Sequence, residues 1–110
     1  MKKFEMKTDI AIKVSGGEVT PPKVYEEPII DILRQLGGSA PSKKVRKILL
    51  ETMGGKFTAA DLEVDKKYTE VVWWNRARWA RQALVTAGVL RSNSPTGIWE
   101  LADNTDADND

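Results

Sequence analysis

Neither cysteine nor histidine occurs anywhere in the chain. The first absence excludes a disulfide framework, a thiolate zinc site and a cysteine nucleophile. The second removes the commonest general base. Long apolar runs are missing as well: none approaches eighteen residues, so no membrane-spanning helix is predicted. The opening MKKFEMK has no apolar core of the kind a secretory signal needs. What remains is 41% hydrophobic and 30% charged, ordinary for a globular domain. At 110 residues the chain can bury a single modest core. This inventory predicts a cytoplasmic protein that binds without catalysing and uses no cofactor.

The net charge of +1 conceals a segregation. Residues 1–20 carry +1, residues 21–91 carry +5, and residues 92–110 hold five acids and no base. A basic body followed by an acidic end suits an anionic partner, with the tail free to fold back on the basic face and compete.

Residues 1–20 read as a strand extension. From Phe4 to Val14 the even positions are Phe, Met, Thr, Ile, Ile and Val, alternating with polar or small residues, which predicts one buried face. Ser15-Gly16-Gly17 ends the strand, and the prolines at 21 and 22 deny it a partner immediately downstream. It is therefore expected to pair as an edge strand of its own domain or with a second copy of the chain.

Residues 21–101 read as the domain proper. Apolar residues at 25, 29, 32, 33 and 36 predict a first helix from Tyr25 to Leu36, stopped by Gly37-Gly38. Ser39-Ala40-Pro41 is a short extended link. Ser42 is placed to cap a second helix with Val45, Ile48, Leu49 and Met53 inward, ended by Gly54-Gly55. Thr58 to Asp61 has the spacing of a capping box, and Asp61 to Thr69 reads as irregular. Residues 102–110 lack apolar periodicity and are expected to be disordered.

The third helix is the most informative element. At 100° per residue Trp73, Ala77, Ala80, Leu84 and Ala87 fall within about 80° of one another and form the core side. Trp74, Arg78, Arg81 and Gln82 lie on the other side, with Asn75 near one flank. Gly88 stands where a left-handed cap stops a helix. Val89-Leu90-Arg91 and Ile98 to Leu101 then flank a turn-rich stretch, Ser92 to Gly97, and read as a hairpin in which Trp99 and Ile98 face opposite sides. Trp79 is expected at the edge of the core, and Arg76 is expected to pair with a carboxylate. This order gives an α+β, mainly α fold: a winged helix with a helix-turn-helix core, a small antiparallel sheet and wing, plus an extra N-terminal β-strand.

The open face of that helix has base-reading chemistry. Arg bridges guanine O6 and N7, while Asn and Gln bridge adenine N6 and N7. An exposed Trp74 among arginines would serve a partner contact, packing under the N-terminal strand, or stacking on nucleic acid. Lys43, Lys44, Arg46 and Lys47 open the second helix, where amides and lysines hold phosphate. Arg91, Asn93, Ser94 and Thr96 of the wing are further candidates for phosphate or minor-groove contact. The predicted DNA-contacting set is Lys43, Lys44, Trp74, Asn75, Arg78, Arg81, Gln82, Arg91, Asn93 and Thr96. Asp61, Glu63 and Asp65 at alternate positions read as a solvated acidic loop, since no calcium-loop glycine or distant glutamate follows. The glycine pairs lack a following Gly-Lys-Ser/Thr and are helix stops. No catalytic or metal residues are assigned.

From Pro22 to Leu101 the chain resembles the N-terminal winged-helix domain of Mrr-type restriction endonucleases. The resemblance lies in PIIDILRQLGG, the N-R-x-x-W-A-R run at Asn75 to Arg81, the A-G-V-L helix end at Ala87 to Leu90, and the S-P-x-G-I-W-E-L wing at Ser94 to Leu101. It implies the DNA-recognition part of a modification-dependent nuclease. Such proteins usually continue into a nuclease domain with a PD-(D/E)xK metal site, a motif that Glu63-Val64-Asp65-Lys66 does not supply. Thr96 stands where the family often has Arg. The expected function is duplex DNA binding without cleavage, by a monomer or homodimer or together with a separate nuclease subunit. The alternative is a protein-interaction or dimerisation module on the same scaffold.

Overall fold

The computed structural model describes residues 17–102. The alternating segment Phe4 to Val14 and the acidic residues 103–110 lie outside these residues, so the strand and tail expectations fall outside them too. The described chain is α+β and mainly helical. Helix α1 (Lys23–Gln35) leads to strand β1 (Ser39–Pro41), helix α2 (Ser42–Met53) and a 3-10 turn (Gly54–Lys56). Strands β2 (Val64–Asp65) and β3 (Glu70–Val71), helix α3 (Val72–Thr86) and strand β4 (Ile98–Glu100) complete the order.

Two helix ends are closed by the same backbone device. After α1 the Gly37 N–H donates to Arg34 O and the Gly38 N–H to Leu33 O, with Gly37 at φ 89°. After α3 the Gly88 N–H donates to Val85 O and the Val89 N–H to Leu84 O, with Gly88 at φ 81°. These paired bonds satisfy carbonyls that a bare helix end leaves open, and they need a left-handed residue, which favours glycine. The second helix differs from expectation. Its N-cap is Pro41, and Ser42 is already helical with no capping side chain. The Ser42 N–H instead donates to Gly97 O at 2.8 Å, so the start of α2 is tied to the turn that precedes β4.

The extended link Ser39–Pro41 is a strand, paired antiparallel with β4 in the register Ser39↔Glu100, Ala40↔Trp99 and Pro41↔Ile98. On the other side of β4 a bridge joins Leu90 to Leu101, and the Arg91 N–H donates to Glu100 O at 2.9 Å. The residues expected to form a hairpin around Ser92 to Gly97 thus do so. Trp99 is buried and Ile98 half-buried, as their alternation requires. The segment expected to be irregular holds a second hairpin, β2 against β3, with Thr69 at φ 53° in its turn.

The core runs along a row of aromatic rings. Tyr25 of α1 lies 6.3 Å from Phe57, Phe57 stacks at 5.0 Å on Trp73, and Trp73 meets Trp74 edge-on at 5.8 Å. Trp74 stacks on Trp99 at 5.4 Å with the rings 7° from parallel. Around this row pack Ile29, Leu33, Val45, Leu49, Ala77, Ala80 and Leu84. The first turn of α3 is therefore inserted between the α1 side and the β1–β4 sheet.

Thr58 and Asp61 form the expected capping box: the Thr58 N–H donates to Asp61 Oδ2 and the Asp61 N–H to Thr58 Oγ1. Asp61 is not the solvated acid expected of it. It is fully buried, and it also accepts from the Thr20 N–H and the Thr20 hydroxyl, both at 2.7 Å. Its charge and, first, burial itself push the Tyr25 phenol above its ordinary pKa of 10.0, so that hydroxyl stays neutral. Asp61 thus fastens the segment ahead of α1 to the loop ahead of α3. Asp61→Asn replaces an acceptor oxygen with an amide facing N–H groups, and it should cost about 1–3 kcal/mol. The check is the urea midpoint together with amide exchange at Thr20 and Thr58; unchanged protection there would show that the tie contributes nothing.

Candidate functional site

Helix α3 presents its predicted face unevenly. Arg78 and Gln82 are exposed, one turn apart, and Arg81 is half-buried beside them. Together with Asn75 they line a concavity of 290 Å³. Its other walls are Trp79 and Trp99, and Tyr68 from the turn between β2 and β3. Four of the predicted contact residues are thereby brought to one place.

Two of the predicted residues do not stand free. Trp74 is 7% exposed and stacks on Trp99. Asn75 is 1% exposed, and its Nδ2 donates to Glu70 Oε2 at 2.8 Å. The reason is positional. A helical wheel gives one inward side for the whole length, whereas the first turn of α3 also packs against Phe57, Glu70 of the β2–β3 hairpin and Trp99 of β4. Trp79 is the converse correction: expected near the core, it is 52% exposed. On the wheel it lies roughly 120° from the centre of the apolar sector, too far to reach the core. Arg76 pairs with no carboxylate among the described residues. Its Nη1 donates to the Asn75 side-chain oxygen, and its guanidinium lies 4.9 Å from the Trp79 ring centre.

Glu70, at the end of the hairpin, organises the start of the site. Its Oε2 accepts from Arg78 Nη2 at 2.7 Å as well as from Asn75. Burial pushes its carboxyl up, but the bonds from Arg78 and Asn75 and the charges of Arg78 and Arg46 outweigh this and hold its pKa below 4.5. Arg46 comes from α2 and lies 5.4 Å from the Trp74 ring centre and 5.9 Å from that of Trp73. The contacts of Glu70, Arg46 and Tyr68 carry no sequence signal, because each joins different elements. A depressed carboxylate contributes stability above its unfolded pKa and loses it as pH falls through the folded value. Arg78 is half exposed, so the effect is about 1 kcal/mol or less. Thermal unfolding from pH 7 to pH 3 should therefore fall more steeply for the native chain than for Glu70→Gln, and parallel curves would exclude the pair as a source of acid sensitivity.

The remaining predicted residues lie outside this concavity. Lys43 and Lys44 are exposed at the start of α2, next to Ser42, whose N–H is bonded to Gly97 O. Asn93 and Thr96 are exposed in the turn-rich stretch 92–97. Arg91 is half-buried, and its Nη1 lies 4.0 Å from Glu100 Oε1. The described residues contain no group of three or more acidic side chains placed to hold a metal ion, and no helix among them is long and apolar enough to cross a membrane. The arrangement offers guanidinium and amide donors in a cleft, the means to hold an anion or an acceptor-rich edge.

Compared with known proteins, residues 24–107 match the family model of the Mrr N-terminal domain. No curated protein and no solved structure matches the chain.

Proposed function

The chain belongs to the Mrr N-terminal domain family, which relates it to Mrr-type restriction systems, and from this we propose that it is a winged-helix domain that binds duplex DNA without cutting it. In this reading α2 and α3 form the helix-turn-helix, and β1, β4 and the Leu90–Leu101 bridge form the wing sheet. Helix α3 enters the major groove with Arg78, Arg81 and Gln82 toward bases and nearby phosphates. Lys43 and Lys44 hold the backbone, assisted by the wing residues Asn93 and Thr96 and by Arg91. Trp74 and Asn75 support this face from beneath instead of touching DNA. The reading rests above all on one observation: Arg78, Arg81 and Gln82 converge on a single open concavity of α3.

Fluorescence anisotropy of a labelled duplex at rising salt tests it. Four or five phosphate contacts give a log–log slope of roughly −4. Binding absent even at low salt would remove the DNA reading and favour a protein partner for the same scaffold.

A further inference from the structure

The cleft beside α3 is better equipped than groove contact requires. Tyr68 and Trp79 border it while 46% and 52% exposed, unusual outlays of aromatic surface for a domain that buries its other three tryptophans. A cation stands over each ring, Lys67 at 5.4 Å from Tyr68 and Arg76 at 4.9 Å from Trp79, and both rings border the cleft besides. Arg81 also lines the cleft, and its Nε is buried with no hydrogen-bond partner among the described residues, which leaves its terminal nitrogens as the donors an incoming acceptor would meet. Arg78 spends one N–H on Glu70 and has others to offer. At 290 Å³ the space lies at the small end of ligand pockets and suits one planar group.

We propose that this cleft takes a single unstacked guanine base. A base combines a ring for Trp79 and Tyr68 with hydrogen-bonding edges for the arginines; a phosphate uses only the arginines and leaves the rings idle. The charged donors are the guanidinium groups of Arg78 and Arg81, which accept nothing, and the Gln82 amide beside them can donate as well, so the matching edge is one that presents acceptors side by side. Guanine O6 and N7 do so. Extruding a base from a paired stack costs energy, so the occupant is one already unpaired: a bulged, mispaired or overhanging nucleotide. The inference rests on the reading of α3 as a DNA-binding face and adds a site to it.

The test compares two labelled duplexes of one sequence, fully paired and with a single bulged guanine, against the full chain and its Trp79→Ala and Tyr68→Ala variants. Both substitutions fall on exposed side chains, and circular dichroism checks the fold. The bulged-guanine duplex should bind roughly 5- to 150-fold tighter, the range carried by one base–aromatic stack. That preference should collapse in Trp79→Ala, while the paired duplex binds as before. Equal binding of both duplexes by the native chain would overturn the cleft assignment and leave duplex binding standing. A preference that survives in both variants would place the bulge elsewhere and overturn it too. A bulged cytosine bound as tightly as guanine would overturn the choice of base. Failure to bind any duplex would remove the DNA reading itself.

Discussion

Trp74→Ala should lower the unfolding midpoint by about 15–30 °C without specifically weakening a DNA contact. The indole is 7% exposed, stacked on Trp99 and edge-on to Trp73, and Arg46 lies over its face. Truncation removes the transfer energy of the ring and leaves a void between α3 and the β1–β4 sheet that neither element closes alone, at a cost of about 3–5 kcal/mol. A domain of this size holds about 5–15 kcal/mol in all, and each kcal/mol moves the midpoint by about 4–8 °C. Trp74→Phe keeps a ring against Trp99 and should lose well under half as much. Calorimetry with a parallel binding titration separates the roles. A midpoint unchanged in Trp74→Ala, with DNA affinity lost, would return Trp74 to the surface as a ligand-stacking residue.

That tryptophan also shows where sequence patterning stops. Helix ends were legible because their causes are local: Gly37 and Gly88 sit two residues past the last helical residue and take the left-handed conformation that closes each helix. The hairpin around 92–97 was legible for the same reason, since Pro95 and Gly97 lie between two short apolar runs. The middle of α3 obeyed the wheel as well, with Ala77, Ala80 and Leu84 inward and Arg78 and Gln82 outward. Its first turn did not, because burial there is imposed by elements distant in sequence, and no period within the helix encodes them. Trp74 and Asn75 are inside for that reason, and Trp79, beyond the enclosure, is outside.

Asp61 makes the same point with polar groups. Its bond pattern with Thr58 is three residues long and readable, whereas its bonds to Thr20 cross 41 positions. Only the fold reveals that a carboxylate resembling a loop residue is buried and saturated with donors. Glu70 likewise meets Arg78 eight positions on, across the boundary from strand to helix, where helical spacing rules do not apply. The site was thus half legible. Of the side chains on the predicted face, the structure leaves Arg78 and Gln82 exposed and encloses Trp74 and Asn75.

The residues left standing carry the second large effect. The double variant Arg78→Ala/Arg81→Ala should weaken duplex binding by about 2–4 kcal/mol, roughly 30- to 1,000-fold, at fixed salt. Its stability should change far less, because Arg78 is 49% exposed and its ion pair with Glu70 contributes about 1 kcal/mol or less. The single variants divide the loss by mechanism. If Arg78 bridges a guanine, Arg78→Ala costs about 1–3 kcal/mol on the preferred sequence and relaxes selection at one base pair. If it grips phosphate, every sequence weakens alike and the salt slope shrinks by about 1. Glu70 makes the first outcome the expected one. A guanidinium anchored by one N–H to a buried-edge carboxylate is fixed in direction, and a fixed fork suits the two acceptors of one base better than a phosphate that any nearby cation could serve. Glu70→Gln should therefore erode selection at that base pair more than it erodes overall affinity, and a selection profile unchanged in Glu70→Gln would sink the positioning role of Glu70.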